Sequence, residues 1–283
     1  MNKIEKKILT SEFIKKKKIS IKEDVDSIFV GGKEDMINFF SHYVYWNGVF
    51  AGCVTNLASN FHLFVNKPGF SGKTPPPEDI MTFFKQKGHK VAGLIFAAAE
   101  DEYADDSAVV SDLRVCHKDM AWHFLKELYT YYNKDIKKRK IEFFAEEINN
   151  AIMRGYRVDR GALCSDLYRG LGFHIGSEKI ASFEFDYLTK KMNKEYPELV
   201  KFLKNKELVP GINAFSWLEV HSSVEEEHFG YALEAANIII DYFDKKDLQR
   251  NPFQFIKEGF VEFSNLQNIF FDHYSGIEEV KVI

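Results

Sequence analysis

Turn formers are scarce in this sequence: 17 glycines and 7 prolines in 283 residues, about 8% where an ordinary chain has ~12%. Few turns mean long elements. Basic charge is not in excess either. The formal net charge is −4, which argues against a general attraction to nucleic acid, a partner held by clustered lysine and arginine. The dense basic run Lys15 to Lys18 reads as a solvated segment. Cysteine is rare: Cys53, Cys116 and Cys164 cannot all pair and none forms a CxxC, so neither a disulfide framework nor a cysteine zinc site is indicated, and a reducing cytoplasm suits the chain. The first twenty residues alternate lysine with Ile, Leu and Phe and have no apolar core of a secretory signal. The apolar stretch Val91 to Ala99 falls far short of the ~18 residues needed to span a bilayer. No fixed-period repeat points to a solenoid.

What is present is the balance of a soluble globular protein, 45% hydrophobic and 28% charged. Gly31 and Gly32 precede Lys33, Glu34 and Asp35, and the acidic pair suits the positive end of a helix starting there and running to about Asn60. Further helices are expected over about Pro77 to Tyr103, Leu113 to Asn133, Ile141 to Arg154, Ser165 to Tyr196, Glu198 to Asn205, Ala214 to Phe243, and from Pro252 through Phe271. No run alternates polar and apolar β-branched residues, so the chain reads as an all-α bundle.

The most informative helix holds His221, Glu225 and His228. At about 100° per residue, Glu225 and His228 lie within about 40° of His221, and the same stripe continues through Ala232, Ala235, Ala236 and Ile239. Two imidazoles and a carboxylate therefore interrupt a buried face, which costs several kcal/mol without partners. A hydrogen-bonded core network or a metal ion would each remove that cost, and His with carboxylate suits iron, manganese or zinc. Other helices repeat the pattern. Glu102 continues the line of Val91, Ile95, Ala98 and Ala99, while Glu100 points away; His117 lies on the stripe of Met120, Ala121, Phe124 and Leu128, while His123 lies off it. Glu178 sits among Leu171, Ile175, Ala181 and Phe185, with His174 on the same face as a core or supporting residue and Glu184 rotated by about 240°. Three imidazoles and three carboxylates suffice for two metal ions, more than a single zinc needs. Ferritin-like centres use two Glu-x-x-His pairs; this chain has one, Glu225 to His228.

These segments, "WLEVHSSVEEEHFGYALEAA", "AAAEDEYAD" followed by "RVCHKDMAWHFLKEL", and "GFHIGSEKIASFEF", resemble the haem-oxygenase-like di-iron oxidases and oxygenases, close to the chlamydial CADD-like proteins and the TenA and PqqC structural group. The resemblance spans roughly residues 34–245. It implies a single haem-oxygenase-like domain of about seven or eight helices, with residues 1–33 as an N-terminal extension and 246–283 as a C-terminal helical addition. A homodimer is compatible with it. It also implies two iron ions, or a manganese and an iron, held by Glu102, His117, Glu178, His221, Glu225 and His228. The partners would be O2 and a small organic substrate, with no nucleic acid or membrane. Glu225 stands where many members carry Asp, and the interval from Glu102 to His117 is longer than the family's, which leaves Asp105 and Asp106 as alternative carboxylates.

Two alternatives accompany this reading: a metal-free TenA-like hydrolase using a cysteine nucleophile, and a helical protein-binding module. One further residue is singled out. Tyr43 lies on the stripe of Met36, Phe39, Phe40, Phe50, Val54, Leu57 and Phe61, with Trp46 at its margin and Tyr45 turned away. A buried tyrosine hydroxyl needs a hydrogen-bond partner, and core packing is one reading of Tyr43. The resemblance supplies another, because CADD-like proteins are linked to forming 4-aminobenzoate from a tyrosine of the protein itself.

Overall fold

A computed structural model describes residues 8–63, 78–103, 109–110, 113–158, 164–244 and 251–276. Asp105 and Asp106 lie outside them. Eleven α-helices are described, more than the seven or eight expected, because two of the long sequence patterns are broken and the N-terminal extension is itself helical. The segment expected to be one helix over 33–60 is α2 (Lys33–Asn47) and α3 (Phe50–Leu63), with Gly48 ending the first. The 77–103 pattern is α4 (Glu78–Gln86) and α5 (Gly88–Tyr103). A helix the pattern reading did not propose, α1 (Ser11–Val30), occupies the N-terminal extension, and the others fall close to their expected bounds: α6 (His117–Tyr131), α7 (Phe143–Gly155), α8 (Cys164–Glu195), α9 (Pro197–Lys204), α10 (Ser216–Asp244) and α11 (Pro252–Ser275). The pattern reading saw no strand; two short antiparallel hairpins occur, Val109–Val110 with Leu113–Arg114 and Glu207–Val209 with Ile212–Asn213. Both are too short to leave a period-2 signal. No described helix is long and apolar enough to cross a membrane.

Local chemistry places the ends. Thr10 accepts a hydrogen bond from the Phe13 N–H at 3.1 Å and so caps α1. Asn251 caps α11, whose first turn carries Pro252, and Gly276 closes that helix in the left-handed region at φ 74°. Pro197 opens α9 directly after α8.

The 32-residue α8 is the axis of the bundle, with α11 and α10 along it and α1 and α3 completing the enclosure. Its approach to α11 is at backbone distance. A Cβ on Gly172 would lie 1.9 Å from the Ile256 carbonyl oxygen, and one on Gly259 would lie 1.9 Å from that of Arg169. Only glycine permits this contact. Helix α1 is tied to the same pair of helices. Phe13 packs on Phe260 with ring centroids 5.3 Å apart, and Lys17, 4% exposed, donates to the Ser264 carbonyl at 3.0 Å and to Asn268 Oδ1 at 2.5 Å. The Lys15 to Lys18 run is thus not wholly solvated, since its third lysine turns inward.

Gly172→Ala is therefore expected to destabilise the fold by about 1–3 kcal/mol or more through overpacking. Gly93, inside α5 with nothing within 4 Å of a built Cβ, is expected to gain about 0.4–1 kcal/mol on substitution by Ala. Urea unfolding of the two variants beside the parent protein measures both signs.

Candidate metal centre

Four helices bring the six residues together. Helix α5 carries Glu102 in its last turn, α6 opens with His117, α8 supplies Glu178, and α10 supplies His221, Glu225 and His228. They do not form one undivided cluster. Ligand-type atoms of Glu102, His117 and His221 lie within 4.8 Å of one another, and so do those of Glu178, Glu225 and His228. Glu102, Glu178, His221, Glu225 and His228 all line one small cavity of about 30 Å³, room for roughly one or two water-sized molecules. Glu100, which the helical phase turns away, is exposed, and so are Glu226, Glu227 and Glu234, which the same phase puts outside the stripe of His221, Glu225 and His228.

In the first group, His117 Nδ1 donates to Glu102 Oε1 at 3.1 Å, and the rings of His117 and His221 are 4.4 Å apart. His221 Nδ1 is 2.7 Å from the Trp217 carbonyl oxygen. A carbonyl only accepts, so Nδ1 carries the proton and the neutral ring turns the lone pair of Nε2 outward. That lone pair faces Glu102 Oε1 at 3.7 Å, too far for a hydrogen bond. Burial, with His117 beside it, holds the His221 pKa below the ordinary imidazole value, which keeps the ring neutral. Burial works against the charge of Glu102, but His117, which donates to it, outweighs burial and holds its carboxyl below the usual range. A lone pair and a carboxylate oxygen facing each other in a buried site repel unless a cation stands between them.

The second group has the opposite problem, an excess of carboxylate. Burial and then the adjacent Glu178 push the Glu225 pKa well above its ordinary value. Burial opposes the Glu178 charge too, yet His174 and His228 hold its pKa well down. His174, fully buried, stands behind Glu178: its Nδ1 is 3.0 Å from Glu178 Oε1 and 3.3 Å from the Tyr156 hydroxyl. Ser177 Oγ donates to the His174 carbonyl at 2.8 Å, so the Tyr156 hydroxyl donates to Ser177 Oγ at 2.7 Å. Supporting hydrogen bonds of this kind orient the carboxylates of metal centres. His228 Nδ1 lies 3.5 Å from Glu178 Oε2. The donor set, one carboxylate with two imidazoles and two carboxylates with one, fits two first-row divalent ions in chemistry and in charge.

Sequence reasoning missed Glu184. It lies on a different face of α8 from Glu178, as the phasing has it, but it is 2% exposed and lines the same cavity. Phasing sorts inward from outward only where a helix has a solvent side, and this part of α8 has none. The Tyr43 hydroxyl donates to Glu184 Oε2 at 2.8 Å. Tyr43 is fully buried among Phe39, Phe185, Trp217 and Phe270, so it connects to the cavity through that carboxylate. Glu184 Oε1 and both amide atoms of buried Gln267 have no hydrogen-bond partner among the described residues. Burial pushes the Glu184 pKa up to about 7, partly offset by Tyr43 and Lys17.

A second cavity of about 500 Å³ reaches Glu102, His117 and His221 from the other side. All three cysteines are free; Cys53 is buried and lines this second cavity, as does Cys116.

No protein-family model and no curated protein matches the sequence. Among solved structures, the chain is similar to a CADD-like protein of unknown function from Nostoc punctiforme, with a TM-score of 0.55 and 13% identity over 90% of this chain and 86% of that one. The chain has a CADD-like fold. At this identity the likeness concerns architecture, and the CADD-like bundle by itself assigns no chemistry.

The raised pKa of Glu184 sets a pH signature. With an ordinary value of 4.5 and a folded value of about 7, Glu184 binds its proton more tightly in the folded state, so its contribution to stability is complete below pH 4.5 and is lost as pH rises through 7. Asp24, pushed up to about 6 mainly by burial, adds a slope of the same sign. In Glu184→Gln the fall in unfolding free energy between pH 4.5 and 7 is expected to be shallower, leaving the Asp24 part; urea titrations at several pH values measure it.

Proposed function

We propose that this CADD-like protein is a cytoplasmic non-haem di-iron oxidase or oxygenase that uses O2 to oxidise a small organic substrate. The observation that carries the reading is the gathering of six ligand-type side chains into two groups of three, the ligand atoms of each group lying within 4.8 Å of one another. Glu102, His117 and His221 would hold one ion, and Glu178, Glu225 and His228 the other. Two irons, or a manganese and an iron, would supply the electrons that reduce O2 and the oxidising power that a bundle of His, Glu and aromatic side chains lacks.

The chain's own residues do the rest. Glu225 keeps a proton while the centre is empty, because burial and Glu178 disfavour its charge; metal binding would displace that proton. His174 and Tyr156 orient Glu178. Phe185, stacked on His221 at 4.3 Å, and Trp217 give the site apolar walls. The alternative cysteine nucleophile finds little support, since burial pushes the Cys53 thiol up to about 12 and raises Cys116 as well, opposite to what a thiolate needs. If the oxidised group is a tyrosine of the chain, as in 4-aminobenzoate formation, Tyr43 is the residue to which we assign that role, with Glu184 accepting its phenolic proton.

His221→Ala and His228→Ala are each expected to lose about one of two bound metal ions while helical content is kept, because the apolar stripes do not depend on them. Elemental analysis with circular dichroism decides this, and two metals per chain in either variant would remove the ligand assignment. For Tyr43, the intact and peptide masses after anaerobic ferrous loading and O2 exposure are expected to change at that residue and not in Tyr43→Phe. An unaltered Tyr43 in a protein that consumes O2 would make the substrate external.

A further inference from the structure

The 500 Å³ cavity lies within the size range of small-molecule pockets and has a wall that the sequence pattern did not foresee. The break between α2 and α3 places Asn47, Gly48 and Val49 on its lining, where an unbroken helix would have run on. Asn47, Glu102 and His221 line this chamber and the small cavity between the two ligand groups alike, so the two spaces meet at those three residues. Away from them the lining is mainly apolar, with Val49, Met153, Val158 and Trp217 among its members. Among the described residues, the one charged side chain on it that does not belong to the metal centre is Lys118, an exposed lysine that makes no ion pair with any of them.

We propose that this chamber is the substrate pocket and that it takes an amphipathic organic anion, with its apolar body against Trp217 and Met153 and its anionic group at Lys118. The proposal rests on the di-iron reading for what happens to the substrate, but not for what binds. Charge sets the orientation. Glu102 already faces the inner end, and three carboxylates, two of them buried, balance most of the charge of two divalent ions, so a further anion is favoured at the lysine end. An apolar body in the chamber also excludes water from the centre, and burial of its surface at roughly 25 cal/mol per Å² supplies most of the affinity. The lysine, being exposed, contributes selectivity more than strength.

The test uses the full chain, metal-loaded, with three isosteric probes: 4-phenylbutanoate, 4-phenylbutanol and 4-phenylbutylamine, measured by calorimetry. The acid is expected to bind about three- to five-fold tighter than the alcohol, the range an exposed ion pair provides, and the amine weakest. Lys118→Ala should bring the acid to the level of the alcohol, and Lys118→Glu should reverse the order of acid and amine. Gly52 lines the chamber and has nothing within 4 Å of a built Cβ, so Gly52→Trp should put an indole into the space and abolish binding of all three, with circular dichroism checking that the variant is folded. Metal content is measured on each protein. If metal is bound but acid and alcohol bind equally, bind undiminished in Gly52→Trp, or do not bind, the chamber proposal is overturned while the metal reading stands. If the order of probes and its reversal hold in a chain that takes up no metal, the pocket stands and the di-iron reading falls.

Discussion

Enclosure of the 170–185 stretch of α8 is the constraint on which the rest of this structure depends. Backbone contact at Gly172 and Gly259 brings α11 against it, and α10 closes over another face. Any polar side chain in this part of α8 must then find a partner inside the protein or lose its charge. Glu178 keeps its charge through His174 and His228, whereas Glu184, with a tyrosine hydroxyl and a more distant lysine, has a pKa raised to about 7. Two carboxylates six residues apart on one helix thus acquire different chemistry from the helices they face.

The same enclosure explains why the ligand-type residues look incomplete on their own. The hydrogen bond from His221 to the Trp217 carbonyl and the contact of Glu178 with His174, itself held by Tyr156 and Ser177, settle orientation and tautomer from behind. In front, a lone pair meets a carboxylate and one carboxylate meets another. Such a site is organised for a positive charge, in the way that supporting residues organise metal ligands elsewhere. The two groups differ in composition, nitrogen-rich around His221 and oxygen-rich around Glu178, so two ions held there would differ in ligand field.

Much of the candidate site was legible in the sequence, because helical phase is a local property. Placing Glu102, His117, Glu178, His221, Glu225 and His228 on inward stripes needs only the ~3.6-residue period, and Glu100, Glu226, Glu227 and Glu234, off those stripes, are exposed. Helix positions were similarly readable, since capping residues and Pro197 mark ends by local hydrogen bonding and sterics. The breaks at Gly48 and Lys87 were not, because the apolar stripe runs through both and a one-residue change of direction leaves its period nearly intact.

What the sequence by itself determined is therefore the set of helices and which side chains each turns inward. Tertiary structure decided which of those side chains meet: the division into two groups of three, the partnership of Tyr43 with Glu184, the inward turn of Lys17, and the chamber opened by the α2 to α3 break. The physical reason is one of range. Periodicity is written in neighbours three and four residues apart, while the register between helices is set by contacts such as Gly172 against Ile256, whose partners are 84 positions apart in the chain and leave no mark on the local pattern.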